Sequence, residues 1–169
     1  FSLSKDNALL INCDNIPLYN GLSAPEIFLN NQIDLSLRYR DPSSEIEENQ
    51  QKSIFLIDQW CSNYEHRIQD LGGIGFFLGG IGPDGHIAFN IRGSDHNSTT
   101  RLLETNFETQ AAAATDLGGI EISKKHLVIT IGLGTITYNK DAIAIITAAG
   151  VAKAKIIRDS IESNPSTNF

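Results

Sequence analysis

A chain of 169 residues, 41% of them hydrophobic, is long enough to bury the core of one domain, so residues 1–169 are expected to form a single α/β unit. With 20 acidic against 13 basic residues, a net charge of −7 and a pI near 5.0, the chain has no general basic field with which to hold nucleic acid. No stretch approaches the ~18 consecutive apolar residues of a membrane helix, so no membrane partner is expected either.

Two cysteines, Cys13 and Cys61, each lie in an apolar stretch. They are expected to be small buried hydrophobes in a reducing, cytoplasmic compartment rather than a disulfide framework. There is no Met anywhere, including position 1, and the chain is expected to be a processed product, an excised domain or part of a longer polypeptide.

In chain order, Ala8–Cys13 (ALLINC) reads as a short strand that stops at Asp14-Asn15-Ile16-Pro17. Asp14 is then a carboxylate just past a strand end, although an Asp before a Pro-containing turn more often caps it. Turn signals at 19–21 and 41–44 flank a helix expected from Ala24 to Leu37. Ser44 and Glu47 have capping-box spacing, and Ile46, Ile54, Ile57, Trp60, Cys61, Tyr64 and Ile68 then recur at helical intervals, predicting a long amphipathic helix over 45–70. Trp60 and Tyr64 are read as core, since an aromatic stripe at helical spacing packs inward more often than it stacks on a sugar.

Ile74–Leu78 is too short an apolar run for a helix and reads as a buried strand. A strand, a long helix and a second strand imply a right-handed crossover between parallel neighbours, hence a Rossmann-like open, mainly parallel sheet with helices on both faces. The chain then turns at once. Gly79, Gly80, Gly82 and Gly85 fall within seven residues, with Pro83 among them, so the backbone there needs positive φ or a close approach to something. Asp84 and His86 sit inside that turn. Ligands of open α/β sheets collect beyond the carboxyl ends of strands, where an Asp and a His two residues apart can meet one small molecule.

Beyond Ile87-Ala88-Phe89, residues 90–98 form a polar loop in which His96 reads as a surface residue. Arg101 is either a phosphate or carboxylate fork or, more commonly for a lone Arg, a surface charge. Glu104–Asp116, with its run Ala111–Ala114, has strong helix propensity. HLVITI (126–131) reads as a strand followed by Gly132-Leu133-Gly134-Thr135, and Ala142–Thr147 as another that ends at Ala148-Ala149-Gly150. There a helix opens, with Ile156, Ile157 and Ile161 on one face. A strand, small residues and a helix N-terminus suit an anion, although Lys153 and Lys155 also read as a solvated helix face.

The string GGIGPDGHIAFN (79–90) closely resembles the GxGxDGHIAFNEPGSS segment of the glucosamine-6-phosphate deaminase/isomerase family, and more loosely the GxGxDGHTASLFP segment of the 6-phosphogluconolactonases. INCDNIPL, CSNYEHRI, Thr99–Leu102, IGLGTI and GVAKAKII are similar to further segments of the deaminases, and the likeness covers about 14–163. It implies that Asp14 is the general base, that His86 opens the pyranose ring with Asp84 positioning it, and that Gly80, Gly82, Gly85, Asn90, Arg101, Gly134 and Lys153 contact the substrate.

Two positions depart from the family's pattern. Ile91 stands where the deaminases have a Glu after HIAFN, leaving Asp95 or a residue elsewhere to support the His. Thr115 falls where their helix supplies an Arg to the phosphate. The family's first βα unit would precede Phe1, and no GGTP-like phosphate loop occurs in the chain.

The implied reaction converts glucosamine 6-phosphate to fructose 6-phosphate and ammonia. It needs no metal or redox cofactor, which suits a sequence without clustered His, Cys and Asp ligands. The expected partner is a small-molecule sugar phosphate; homo-oligomerisation stays open. Two other readings are a non-catalytic sugar-phosphate-binding or regulatory module, motivated by Ile91 and Thr115, and a lactonase for 6-phosphogluconate.

Overall fold

A computed structural model of the chain describes residues 4, 7–29, 33–104 and 127–163. The element on which the rest is assembled is the helix α2, Glu45–Asp70, at the bounds its periodicity predicts. Its 26 residues span about 39 Å at the usual rise. Ser44 caps the start by accepting from the Glu47 N–H at 3.2 Å. The expected capping box is only half made, because the Glu47 carboxylate turns to the Ser43 N–H at 2.7 Å and to Arg40 instead of Ser44. Past the C-terminus, Gly72 (φ 89°) and Gly73 (φ 84°) adopt the left-handed conformation that releases the chain towards the next strand.

Of the predicted apolar stripe, Ile54, Ile57, Cys61, Tyr64 and Ile68 are buried, and Trp60 is half-buried with its ring 5.3 Å from that of Tyr64. Ile46 is exposed. The core gathers around the middle of this helix, where Ile54, Ile57 and Cys61 meet Ile27, Phe28 and Leu37 from one side and Leu102 from the other. Burial pushes the Cys61 thiol up to about 11. Cys13, by contrast, is exposed, which corrects the expectation that both cysteines are buried.

The segment before α2 departs most from its sequence reading. Ala8–Cys13 is not a strand; the chain runs irregularly into a 3₁₀ turn at Cys13–Asn15, so no strand–helix–strand unit forms with α2. Leu10 is 74% exposed, and among the described residues no neighbouring strand offers the run a ladder of hydrogen bonds. The expected helix 24–37 is instead a single turn, α1 (Ala24–Ile27, with Pro25 in its first turn), and a separate 3₁₀ turn at Leu35–Arg38.

Irregular backbone of this kind must find donors and acceptors elsewhere, and α2 provides them. Gln50 Nε2 donates to Ile27 O at 3.0 Å, Gln51 Nε2 donates to Leu37 O at 2.8 Å and Arg40 O at 3.1 Å, and the fully buried Ser53 accepts from Tyr19 N at 3.1 Å. Arg38 adds a two-point bond to Asp58 on α2, at 2.8 and 2.6 Å, while donating to Leu102 O at 3.2 Å.

Among the described residues four strands follow: β1 (Phe76–Gly80), β2 (Arg101–Glu104), β3 (Leu127–Thr130) and β4 (Ile143–Thr147), with the short helix α3 (Leu133–Thr137) after β3 and α4 (Ala154–Glu162) after β4. β1 pairs in parallel with β4, Phe76 opposite Ile143, as the α/β reading requires. β2 pairs antiparallel with β3, Arg101 opposite Thr130, so the described strands form two two-stranded sheets rather than one open sheet. β2 had no sequence signal beyond Leu102-Leu103 and is held by α2 beneath it. Every residue of β4 is exposed, as are Phe76 and Leu78 of β1, whereas parallel strands are ordinarily covered on both faces. The expected helix Glu104–Asp116, including Thr115, lies almost wholly outside the described residues. Among the described residues no helix is long and apolar enough to cross a membrane.

Two outcomes follow for stability. Ile54, with no exposed surface, sits at the centre of the core, so Ile54→Ala should lower the urea-derived unfolding free energy by about 2–5 kcal/mol. Hydrogen bonds from Arg40, and then from Ser43, hold the Glu47 carboxyl down to about 2, against an ordinary value of 4.5. A lowered carboxyl contributes stability that is complete above pH 4.5 and is lost as pH falls towards 2. Melting temperatures across that window should therefore drop more steeply for the wild type than for Glu47→Gln, and the two curves should run parallel above pH 5.

Candidate functional site

β1 ends at Gly80, and the chain turns back on itself over Gly82–His86, with Gly82 N donating to His86 O at 2.9 Å and Gly85 N to Gly82 O at 3.1 Å. Two glycines are required here for different reasons. A Cβ on Gly82 would lie 2.1 Å from His86 Cε1, so the imidazole rests directly on that backbone. Gly85 combines φ 93° with the Ile156 side chain of α4 at 3.1 Å from where its Cβ would stand. The turn is thus pressed from inside by its own histidine and from outside by α4.

Within it Asp84 and His86 meet, Oδ1 to Nδ1 at 2.5 Å, with side chains only 16% and 15% exposed. An ionised carboxylate can only accept, so the proton of a neutral ring is held on Nδ1 and the basic lone pair lies at Nε2. The ring is also flanked by Phe89, 6.3 Å between centroids and 7° from coplanar. Phe89 is in turn fixed by its N–H, which donates to Thr130 Oγ1 at 3.1 Å. Between them Ala88 holds φ 53°, a left-handed conformation that costs an alanine roughly 1–2 kcal/mol, and strain of this kind gathers at functional sites.

An open groove of about 590 Å³ runs along this turn, lined by the end of β1, Gly80–Pro83, His86, Ala88 and Lys153. That volume is in the range of small-molecule sites. Lys153 closes the 3₁₀ turn Val151–Lys153 that follows Gly150 (φ 86°) and leads into α4. Of the residues singled out in the sequence, Gly80, Gly82, His86 and Lys153 therefore share one groove, with Asp84 bonded to His86.

The others lie elsewhere. Asp14 is exposed in the Cys13–Asn15 turn, where its N–H donates to Asn12 Oδ1 at 3.1 Å, and it does not line the groove. Gly85 and Asn90 line a smaller hollow of about 150 Å³, together with Ile91. Asn90 is 5% exposed and braces the backbone, its Nδ2 donating to Ile87 O at 3.1 Å and Ile131 O at 2.9 Å, while its buried Oδ1 meets no donor among the described residues. Gly134 packs on Asn97 and Ser98, and Arg101 donates to Thr99 O at 3.2 Å, burial holding its guanidinium below the usual range. The Asp95 carboxylate accepts from the Asn97 N–H at 2.8 Å, and His96 is exposed as expected.

No family model matches this chain. It is 44% identical over 90 residues to the glucosamine-6-phosphate isomerase of Candida albicans, a match covering 53% of this chain and 36% of that protein. The glucosamine-6-phosphate deaminase of Caenorhabditis elegans is 40% identical over 102 residues, 60% of this chain and 38% of that one. This chain is related to the glucosamine-6-phosphate deaminases. A solved monomeric glucosamine-6-phosphate deaminase, described as a missing link of the NagB superfamily, superposes with a TM-score of 0.57 at 29% identity over 73% of this chain and 46% of its own. The chain thus spans well under half the length of the curated relatives it matches. The α/β class and the resemblance read from GGIGPDGHIAFN are both borne out.

Sequence reasoning missed Ala88, which lines the groove, and Phe89, whose ring flanks His86, as well as the buried cluster in which Glu65 accepts hydrogen bonds from Thr100 and Thr135. A signal existed for Glu65 alone: a carboxylate on the inward flank of an apolar stripe must be paired. Gly82→Ala tests the packing of the histidine. The added methyl should push the His86 ring off Asp84 while the melting temperature changes little, and the ring ¹⁵N resonances should move towards an averaged pair of tautomers.

Proposed function

We propose that this chain carries the sugar-handling centre of a glucosamine-6-phosphate deaminase, and the observation that supports this most is the Asp84–His86 pair in a groove that also contains Lys153. The curated relatives it matches are named for that deaminase or isomerase activity, which favours this reading over a lactonase. In it, Lys153 draws the phosphate of the substrate to one part of the groove, with backbone N–H groups of the glycine turn as further donors. His86, its tautomer held by Asp84, takes the proton of the O1 hydroxyl on Nε2 and hands it to the ring oxygen as the C1–O5 bond breaks and the pyranose opens. A carboxylate then moves a proton from C2 to C1, water completes the exchange at C2, and fructose 6-phosphate and ammonia leave. The proton shift leaves an imine at C2, water adds to it, and ammonia departs as the C2–N bond breaks, so no external oxidant or reductant is needed.

The base in this scheme is Asp14, on the likeness of INCDNIPL to the deaminases' strand-end segment. For that role its turn must come to the groove when substrate is bound. Localisation in the cytoplasm and a single sugar-phosphate domain within a longer polypeptide belong to the same proposal.

Ammonia release from glucosamine 6-phosphate decides it. The wild type should turn over, Asp84→Asn should lower kcat by about 10²-fold or more through the wrong tautomer, and Lys153→Ala should act mainly on KM. Asp14→Asn should abolish turnover while leaving binding intact. Binding without turnover by the wild type would instead establish a regulatory module, the reading that Ile91 in place of a Glu favours.

A further inference from the structure

Glu65 lies on α2, 5% exposed, and among the described residues its hydrogen-bond partners, Gln69, Thr100 and Thr135, are all uncharged. Its Oε2 accepts three hydrogen bonds, from Thr100 N at 3.1 Å, Thr100 Oγ1 at 2.9 Å and Thr135 Oγ1 at 2.8 Å. Thr100 immediately precedes β2 and Gly132 is the second residue after β3, so both flank the same end of the antiparallel pair. Thr135 Oγ1 also accepts from Gly132 N at 3.1 Å, which brings Gly132 into the same cluster. The two loops are in backbone contact besides: a Cβ on Gly132 would fall 1.9 Å from Ser98 O, and Gly134 N donates to that oxygen at 2.8 Å.

The histidine turn is fastened to this end of the sheet and, among the described hydrogen bonds, through two neighbouring residues. Phe89 N donates to Thr130 Oγ1, and Asn90 Nδ2 donates to Ile131 O. Glu65 thus holds Thr100 directly and Gly132 through Thr135, Ile131 and Thr130 lie next along the chain, and Phe89, whose ring flanks His86, is bonded to Thr130 through its backbone N–H. A desolvated carboxylate is a costly way to hold two loops, and hydroxyl pairs or apolar contacts would do so at lower cost. What it adds is geometric uniqueness, since three donors converging on one oxygen admit few arrangements.

We propose that Glu65 is a positioning residue for the site: its buried carboxylate, acting through Thr135 and Thr100, sets the placement of the turn that aims His86 into the groove. This deepens the function proposed above, and its turnover readout rests on that reading. The ring resonances of His86 do not.

Three variants test it. Thr135→Val removes one hydroxyl at almost constant volume, Glu65→Leu removes the acceptor, and Glu65→Gln keeps an oxygen where Oε2 stands. In Thr135→Val and Glu65→Leu the ¹H and ¹⁵N signals of the His86 ring and its titration midpoint should shift. In both, kcat for ammonia release should fall at least about tenfold with KM within about twofold, as expected when a reacting group is displaced but phosphate binding is kept. Glu65→Gln should return both readouts to near wild type. The proposal is overturned if the two disruptive variants melt lower yet leave the His86 signals and midpoint at wild-type values. Should Glu65→Leu not fold, Thr135→Val carries the test by itself. A wild type without turnover would sink the deaminase reading and leave the His86 signals to decide this one.

Discussion

One oxygen atom ties the long helix to the loops that frame the site. Glu65 Oε2 draws three donors from two segments far apart in sequence, 35 and 70 residues away. Dehydrating a carboxylate costs several kcal/mol, and hydrogen bonds to a charged group each return about 1.5–3 kcal/mol, so the cluster is stable only when all its donors are in place. That all-or-nothing quality is useful for a site. A purely apolar contact tolerates sliding, whereas three donors converging on one oxygen admit few arrangements of the β2–β3 end.

The molecule divides into a well-packed half and an open one. Around α2 the irregular N-terminal segment, β2 and β3 surround a continuous core, and polar side chains of the helix supply the hydrogen bonds that the irregular backbone lacks. The parallel pair β1–β4, which presents the histidine turn and Lys153, exposes apolar residues such as Phe76, Leu78, Ile143 and Ile145. The groove therefore sits where ligands collect in α/β folds, past the carboxyl end of a parallel strand, and beside the less covered of the two sheets. Its chemistry comes from a short-range feature, two residues of one turn, packed within the turn against Gly82 and flanked from outside by Phe89 and α4.

Much of this was legible in the residues. The capping serine and the 3.6-residue period place α2 at about 45–70, where it is found, because both are properties of nearby side chains. The glycine turn and its Asp-His pair were equally plain, since positive φ and close contact restrict the choice of residue at each position. β1, β3 and β4 appeared as short apolar runs. ALLINC had the same look and failed as a strand, because a strand exists only where another supplies its hydrogen bonds, and that cannot be read from six residues.

By itself, then, the sequence determined the long helix, the three apolar strands, the turn bearing Asp84 and His86, and the kinship with the deaminases. Only the tertiary structure decided which strands pair and in which direction, that Asp14 and Arg101 stand apart from the groove that His86 and Lys153 share, and that Glu65 underlies the arrangement. The division has a physical cause. Caps, periodicity and glycine conformations act over a few bonds, whereas pairing, burial and convergence on one oxygen depend on segments tens of residues apart meeting in space.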